Sequence, residues 1–154
     1  MGSRSTGDNG CKKGTSMTDD QRKQIAKELL HAAARGDAAA VDAMISDDFT
    51  FKSMRRAPIM LPTGEPMPTD FDREAFLSFV GDVPTFTKDG LHFTYDLALS
   101  DGDHLAVFGE SNATALSGKK YANVYSWLFH FADVKVTHWR EYCDTHLVCT
   151  VLFG

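Results

Sequence analysis

The residues best suited to chemistry lie in two runs near the C-terminus, Tyr121 to Phe131 (YANVYSWLFHF) and Lys135 to Cys149 (KVTHWREYCDTHLVC). Both read as long β-strands, and strand side chains alternate between two faces. Trp139, Glu141, Cys143, Thr145 and Leu147 therefore share one face, and His138, Arg140, Tyr142, Asp144 and His146 share the other. On the first run, Asn123, Tyr125, Trp127, Phe129 and Phe131 lie opposite Val124, Ser126, Leu128 and His130. A wall built from Tyr125, Trp127 and Trp139 suits a flat apolar ligand, and suits an ordinary core equally well. A carboxylate on such a wall is either a proton-transfer group or one partner in a buried hydrogen-bond network. Alternation alone leaves open which face looks inward.

Other chemistries find less support. No His-x-x-x-His, Cys-x-x-Cys or clustered His/Asp arrangement suggests a metal, and no Gly-rich loop meets a helix start as a nucleotide phosphate requires. No cofactor is expected. Twenty-one acidic residues against 16 basic ones give a net charge of −5, with no basic cluster beyond short pairs such as Lys119-Lys120. That balance argues against nucleic acid as a partner. No apolar run approaches the roughly 20 residues that span a bilayer, so no membrane partner is expected either. Three cysteines are a sparse, odd set, with Cys143 and Cys149 too far apart on one strand to pair. Reduced thiols in a cytoplasmic protein are the expectation.

The elements that must position these residues follow from pattern. Residues 1–16 (MGSRSTGDNGCKKGTS) read as a disordered leader, ahead of a single domain over 17–154. Thr18 and Gln21 fit a capping box, and Ile25, Leu29, Ala32 and Ala33 form the apolar stripe of a helix that Gly36 closes. His31 borders that stripe and is a candidate pocket-lining residue. Asp37 caps a second short helix to Ile45, and Phe49 to Met54 reads as a strand. Four prolines between Arg55 and Thr69 predict a long irregular loop, with Met60 and Met67 as an adaptable apolar lid. A third helix runs from about Arg73 to Val80, capped by Asp72 or Asp70. From Gly90 the period becomes two, giving four long strands separated by turn residues. Helices first and strands last predict an α+β fold, with helices packed on the concave face of a strongly curved antiparallel sheet.

The pattern Tyr121-x-Asn123-x-Tyr125, an apolar strand, a turn, Lys135-Val136-Thr137 and then Trp139-Arg140-Glu141-Tyr142-x-Asp144-Thr145 resembles the SnoaL-like, ketosteroid-isomerase-related branch of the NTF2-like superfamily. The resemblance implies a cone-shaped fold around a pocket, and a homodimer through the outer sheet face. It also turns the face of Trp139 and Glu141 inward. Aligned on Trp139, the chain is similar to limonene-epoxide-hydrolase relatives, which puts one cavity carboxylate at Glu141 and a second at Glu110. SnoaL-type cyclases place a catalytic carboxylate near Asp144, which by alternation needs a bulge to reach the pocket. The hydrolase relatives' bridging arginine falls on Phe108, and their water-holding residues fall on Phe51 and Ser53, which argues against epoxide hydrolysis. The turn also departs from the relatives' Asp-Gly, with Val134 after Asp133.

Two readings remain at this level. In the first, Glu141, Glu110 and Asp144 are candidate acid/base residues for isomerisation, cyclisation or dehydration of a hydrophobic carbonyl compound, with Tyr125, Asn123, Trp127, Trp139 and His31 binding it. In the second, the same cavity belongs to a non-catalytic ligand-binding or dimerisation module.

Overall fold

The structure is a computed structural model and describes residues 16–154. The leader expected over residues 1–16, Cys11 included, lies outside the described residues except for Ser16. Helix α1 (Asp19–Ala34) opens with the capping box, Thr18 and Gln21 each satisfying the other's backbone N–H. It ends at Gly36, whose φ of +73° and 2.5 Å approach of Pro84 to a would-be Cβ leave room only for glycine. Helix α2 (Ala38–Met44) is capped by Asp37 and runs directly into strand β1 (Ile45–Ser53).

The proline-rich stretch is less irregular than expected. Ile59–Met60 (β2) and Pro66–Met67 (β3) pair as a small antiparallel hairpin, and β4 (Asp70–Asp72) then pairs with β1. Proline is tolerated there because two-residue edge strands need few backbone donors. Asp72, not Asp70, caps helix α3 (Arg73–Asp82) by accepting from the Ala75 N–H.

Strands β5 (His92–Asp101), β6 (His104–Thr114), β7 (Lys120–Ala132) and β8 (Lys135–Cys143) form the expected meander. The complete sheet has the order β4-β1-β8-β7-β6-β5 and is mixed, because β1 lies parallel to β8. The expectation of a wholly antiparallel sheet is corrected at that one pair. Its curvature has local causes. Register shifts interrupt the β5–β6, β7–β8 and β1–β8 ladders, and each bulge bends the strand that carries it. At the first of these, β5 crowds β6 so closely that a Cβ on Gly109 would lie 2.3 Å from the Thr94 carbonyl oxygen. In the β7–β8 turn the left-handed residue is Asp133 (φ 53°) rather than Val134, and aspartate tolerates that conformation better than a β-branched side chain.

The second correction concerns β8. It stops at Cys143, and the chain continues as a helical turn, α4 (Thr145–Leu147), and a π-helical turn, Val148–Leu152. Asp144 is the reason. Its carboxylate accepts from the backbone N–H groups of His146 and Leu147, a cap that makes the continuing strand the poorer alternative. Cys149 is consequently an exposed helical residue, not a strand residue.

The core fills the space between the helices and the concave sheet face. Leu29, Leu30, Val41 and Phe76 from the helices meet Leu105, Val107, Trp127, Phe129 and Phe131, all almost fully buried. The opposite, outer face carries exposed Leu97, Leu99, Phe108, Val124 and Tyr142. Among the described residues no helix is long and apolar enough to cross a membrane.

Candidate active site

The odd-numbered side chains of β7 from Tyr121 to Phe131 all point into the core, and Trp139, Glu141 and Cys143 of β8 join them. At the wide end of the cone this wall meets a cavity of about 110 Å³. Its lining is nearly all apolar, with Phe76 and Phe79 from α3, Phe93 from β5, Met67 from the hairpin and Phe153 at the C-terminus. The polar exceptions are Ser53, Tyr121, Tyr125, Glu141 and the Cys143 thiol. Pockets for drug-sized ligands begin near 300 Å³, so this space suits about one small ring unless the rim moves.

Glu141 is the only acidic residue in the lining. It sits opposite Trp127 in the β7–β8 ladder, and Trp127 Nε1 donates to its Oε2 at 3.0 Å. Burial pushes its carboxyl up to about 7, and the Trp127 hydrogen bond only partly offsets this by favouring the ionised form. Trp127 does not line the cavity; it stands behind Tyr125, stacked at 4.9 Å, and holds the carboxylate from the rear. Beside it, the Cys143 thiol is pushed up by burial and by the nearby carboxylates of Glu141 and Asp144, so it stays protonated and is no nucleophile at neutral pH.

Tyr121 and Tyr125 form the second polar feature. Their hydroxyl oxygens are 2.8 Å apart. Asn123 Nδ2 donates to Tyr121 Oη at 2.8 Å, and Ser111 Oγ donates to Tyr125 Oη at a long 3.5 Å. Burial raises both phenols well above their ordinary range, so both remain protonated. Two hydroxyl protons are present and the bond between the rings uses one. Whichever tyrosine donates to the other, one O–H is left over for a ligand oxygen. Trp139 lines the same cavity, and its buried Nε1 has no hydrogen-bond partner.

The other candidates are placed elsewhere. Glu110 pairs with Val124 on the outer, exposed face, one position out of phase with inward Gly109 and Ser111. It is not a second cavity carboxylate. No bulge turns Asp144 inward, and its carboxylate is committed to capping α4. Asn123 is buried, but all its polar atoms are engaged: Nδ2 donates to Tyr121 Oη and the Asp144 carbonyl, while Oδ1 accepts from the N–H groups of Val124 and Asp144. It joins β7 to the end of β8 and has no hydrogen left for a substrate. His31 is exposed and packs edge-on against Tyr95, away from the cavity. Of the expected lid methionines, Met67 lines the cavity and Met60 is half exposed.

Tyr121 and Arg55 went unrecognised in the sequence. For Tyr121 the signal was present, since it lies four residues before Tyr125 on the same face of the same strand. Arg55 gave none. It donates to Ser53 Oγ (3.2 Å), to Ala57 O (3.1 Å) and to the carbonyls of Met67 and Pro68, fastening the β2–β3 hairpin over the cavity mouth. Arg55→Ala is therefore expected to destabilise the protein by about 1–3 kcal/mol and to speed hydrogen exchange across residues 59–68. Unchanged exchange in that hairpin would show that it is held by other contacts.

The SnoaL-like domain family matches this chain over residues 26–139. The chain belongs to that family. Several solved structures share its fold. An NTF2-like protein of unknown function from Burkholderia pseudomallei is 17% identical, with a TM-score of 0.68 over 90% of this chain and 100% of its own. A Jannaschia protein assigned as a SnoaL-like polyketide cyclase is 14% identical, with a TM-score of 0.68 over 92% and 99%. A Bacillus subtilis protein assigned as an isomerase is 13% identical, with a TM-score of 0.69 over 84% and 90%. No curated protein matches the SnoaL-like chain.

Proposed function

We propose that this SnoaL-like protein is an acid/base enzyme that moves a proton on a small, largely apolar carbonyl compound, with Glu141 as the proton-transfer group. One observation carries the reading: a lone carboxylate poised near neutrality in an apolar cavity. A catalytic base works best with a pKa close to the working pH, because it must both take and return the proton. The ionised carboxylate removes a proton from the carbon next to the carbonyl, and the C–H electrons pass to the carbonyl oxygen. The spare hydroxyl of the Tyr121–Tyr125 pair stabilises that oxyanion. Protonated Glu141 then returns the proton to a different carbon, giving isomerisation, or to a departing hydroxyl, giving dehydration with loss of water. Attack of the enolate carbon on a second carbonyl, whose oxygen takes the proton back from Glu141 as its π bond breaks, gives cyclisation. Each route balances with no redox partner. The polyketide-cyclase and isomerase assignments of two fold neighbours are in keeping with this class.

Single-ring unsaturated ketones and β-hydroxy ketones match the size of the cavity. On any substrate the protein converts, Glu141→Gln is expected to lower kcat by about 10²–10⁴-fold while binding survives. Equal turnover by the variant would end the proposal. The small volume of the cavity favours a second reading, a ligand-binding module, which predicts saturable binding of such compounds by the wild-type protein with no conversion. We include a homodimer in the proposal, because the exposed apolar residues of the outer face form the kind of surface that a second copy covers. Light scattering at micromolar concentration should return twice the chain mass; a monomer would remove that part.

A further inference from the structure

Rim segments of unequal firmness close the apolar cavity. The β2–β3 hairpin contributes Ile59 and Met67, the 3₁₀ turn Val83–Phe86 after α3 contributes Phe86, and the π-helical turn contributes Val148 and Leu152, with Phe153 following it. Arg55 fastens the hairpin through hydrogen bonds to Ser53, Ala57, Met67 and Pro68. The π-helical turn has anchors of its own: Asp144 caps the helical turn before it, and Lys119 Nζ donates to the Thr150 carbonyl at 3.2 Å. Between the 3₁₀ turn and the π-helical turn, no hydrogen bond or ion pair crosses among the described residues. An edge-to-face ring pair closes that seam, with the centroids of Phe86 and Phe153 5.0 Å apart and their planes at 85°.

The size of the cavity makes this seam matter. An apolar cavity of roughly 150 Å³ takes up benzene. The closed cavity, at about 110 Å³, is smaller, so even a six-membered ring must push some part of the rim aside. Parting one edge-to-face ring contact costs less than unmaking the hydrogen bonds of a half-buried guanidinium, so the ring pair yields before the hairpin does. Phe86 and Phe153 both line the cavity and both keep partial exposure, as residues at an entrance must. Phe86 is braced by Phe79 of α3, 5.9 Å away. Phe153 packs against Phe86 and has no second ring partner among the described residues, so its side chain is the movable one.

We propose that the Phe86–Phe153 pair is the gate of the cavity, with Phe153 as the moving side chain, and that it restricts the site to monocyclic ketones. The inference rests on the function proposed above for the class of ligand. A single ring fits beneath the gate once Phe153 swings back over it. A second, fused ring needs the space that the Phe153 ring fills in the closed state, so a bicyclic ketone holds the gate open and loses the contacts that closure makes. Glu141 and the tyrosine pair carry the chemistry in either case. Phe153 decides which carbonyl compounds reach them.

The test reads binding alone: calorimetric titration of the full chain with cyclohexanone and with 1-tetralone, and stopped-flow association followed by tryptophan fluorescence, since Trp139 lines the cavity. The wild-type protein should bind 1-tetralone at least about 10-fold more weakly than cyclohexanone. Phe153→Ala should shift that ratio by about 10-fold toward 1-tetralone and speed the association of both ketones. Phe153→Leu keeps an apolar side chain packed against the cluster of Ile59, Tyr121 and Val148, and should move both readings in the same direction if the alanine variant is unstable. Arg55→Ala loosens the hairpin instead, and should leave the association rate within about twofold of the wild-type value. The proposal is overturned by a ratio that neither Phe153 variant changes, by faster association in Arg55→Ala alone, or by no saturable binding of either ketone. Size-selective binding under the control of Phe153, with no ketone converted, would end the catalytic reading and leave the gate in place.

Discussion

Glu141→Gln should make the protein more stable at pH 9 and leave it unchanged at pH 4. The native carboxyl titrates near 7, against 4.5 for the ordinary group. Between those values the folded protein keeps a proton that the unfolded chain has lost, so folding stability falls as pH rises through the window. The stabilising contribution is complete below about 4.5 and is lost once pH passes 7. Each step of one pH between the two values costs about 1.4 kcal/mol, so the wild-type protein should lose about 3 kcal/mol across the window. Glutamine is neutral at every pH, and its carbonyl oxygen can still accept from Trp127 Nε1. Urea denaturation of both proteins from pH 4 to pH 9 reads the difference directly. Two curves that stay parallel would mean that Glu141 ionises inside the fold at no cost.

The second large effect concerns the tyrosine pair. Tyr121→Phe leaves Tyr125 with its own hydroxyl proton, and Tyr125→Phe leaves Tyr121 with its proton while Asn123 donates to its oxygen. Either single variant should retain much of the oxyanion stabilisation. Removing both hydroxyls should lower kcat by about 10²–10³-fold, the usual cost of losing an oxyanion donor. The double loss should thus exceed the product of the single losses. A strictly multiplicative outcome would show that the two hydroxyls act separately and that the shared proton has no role.

Much of this arrangement was legible in the alternation of β7 and β8, because a period of two assigns every side chain of a strand once one is assigned. It placed Tyr125, Trp127, Trp139 and Glu141 on a single inner wall. The same parity argument, applied to Leu105 and Val107 of β6, sends Glu110 outward, against the cavity position that the family resemblance implies for it. Asp144 was misplaced for a different reason. The run after Cys143 is as apolar as a strand, and only the Asp144-Thr145 pair hints at a helix cap, a local hydrogen-bonding choice that periodicity does not register. Asn123 sits on the expected face, but whether a buried amide serves a ligand or the backbone depends on partners 21 residues away in sequence.

The central claim is that Glu141 is a carboxyl group poised between its two protonation states in the apolar cavity. The most direct measurement is its own titration, followed by nuclear magnetic resonance of ¹³C-labelled glutamate carboxyls in the free protein, with the Trp127 Nε1–H signal as a second reporter. An inflection near pH 7, moving both signals together and absent in Glu141→Gln, is the predicted result. A Glu141 carboxyl that titrates near 4.5 with the other glutamates would contradict the account.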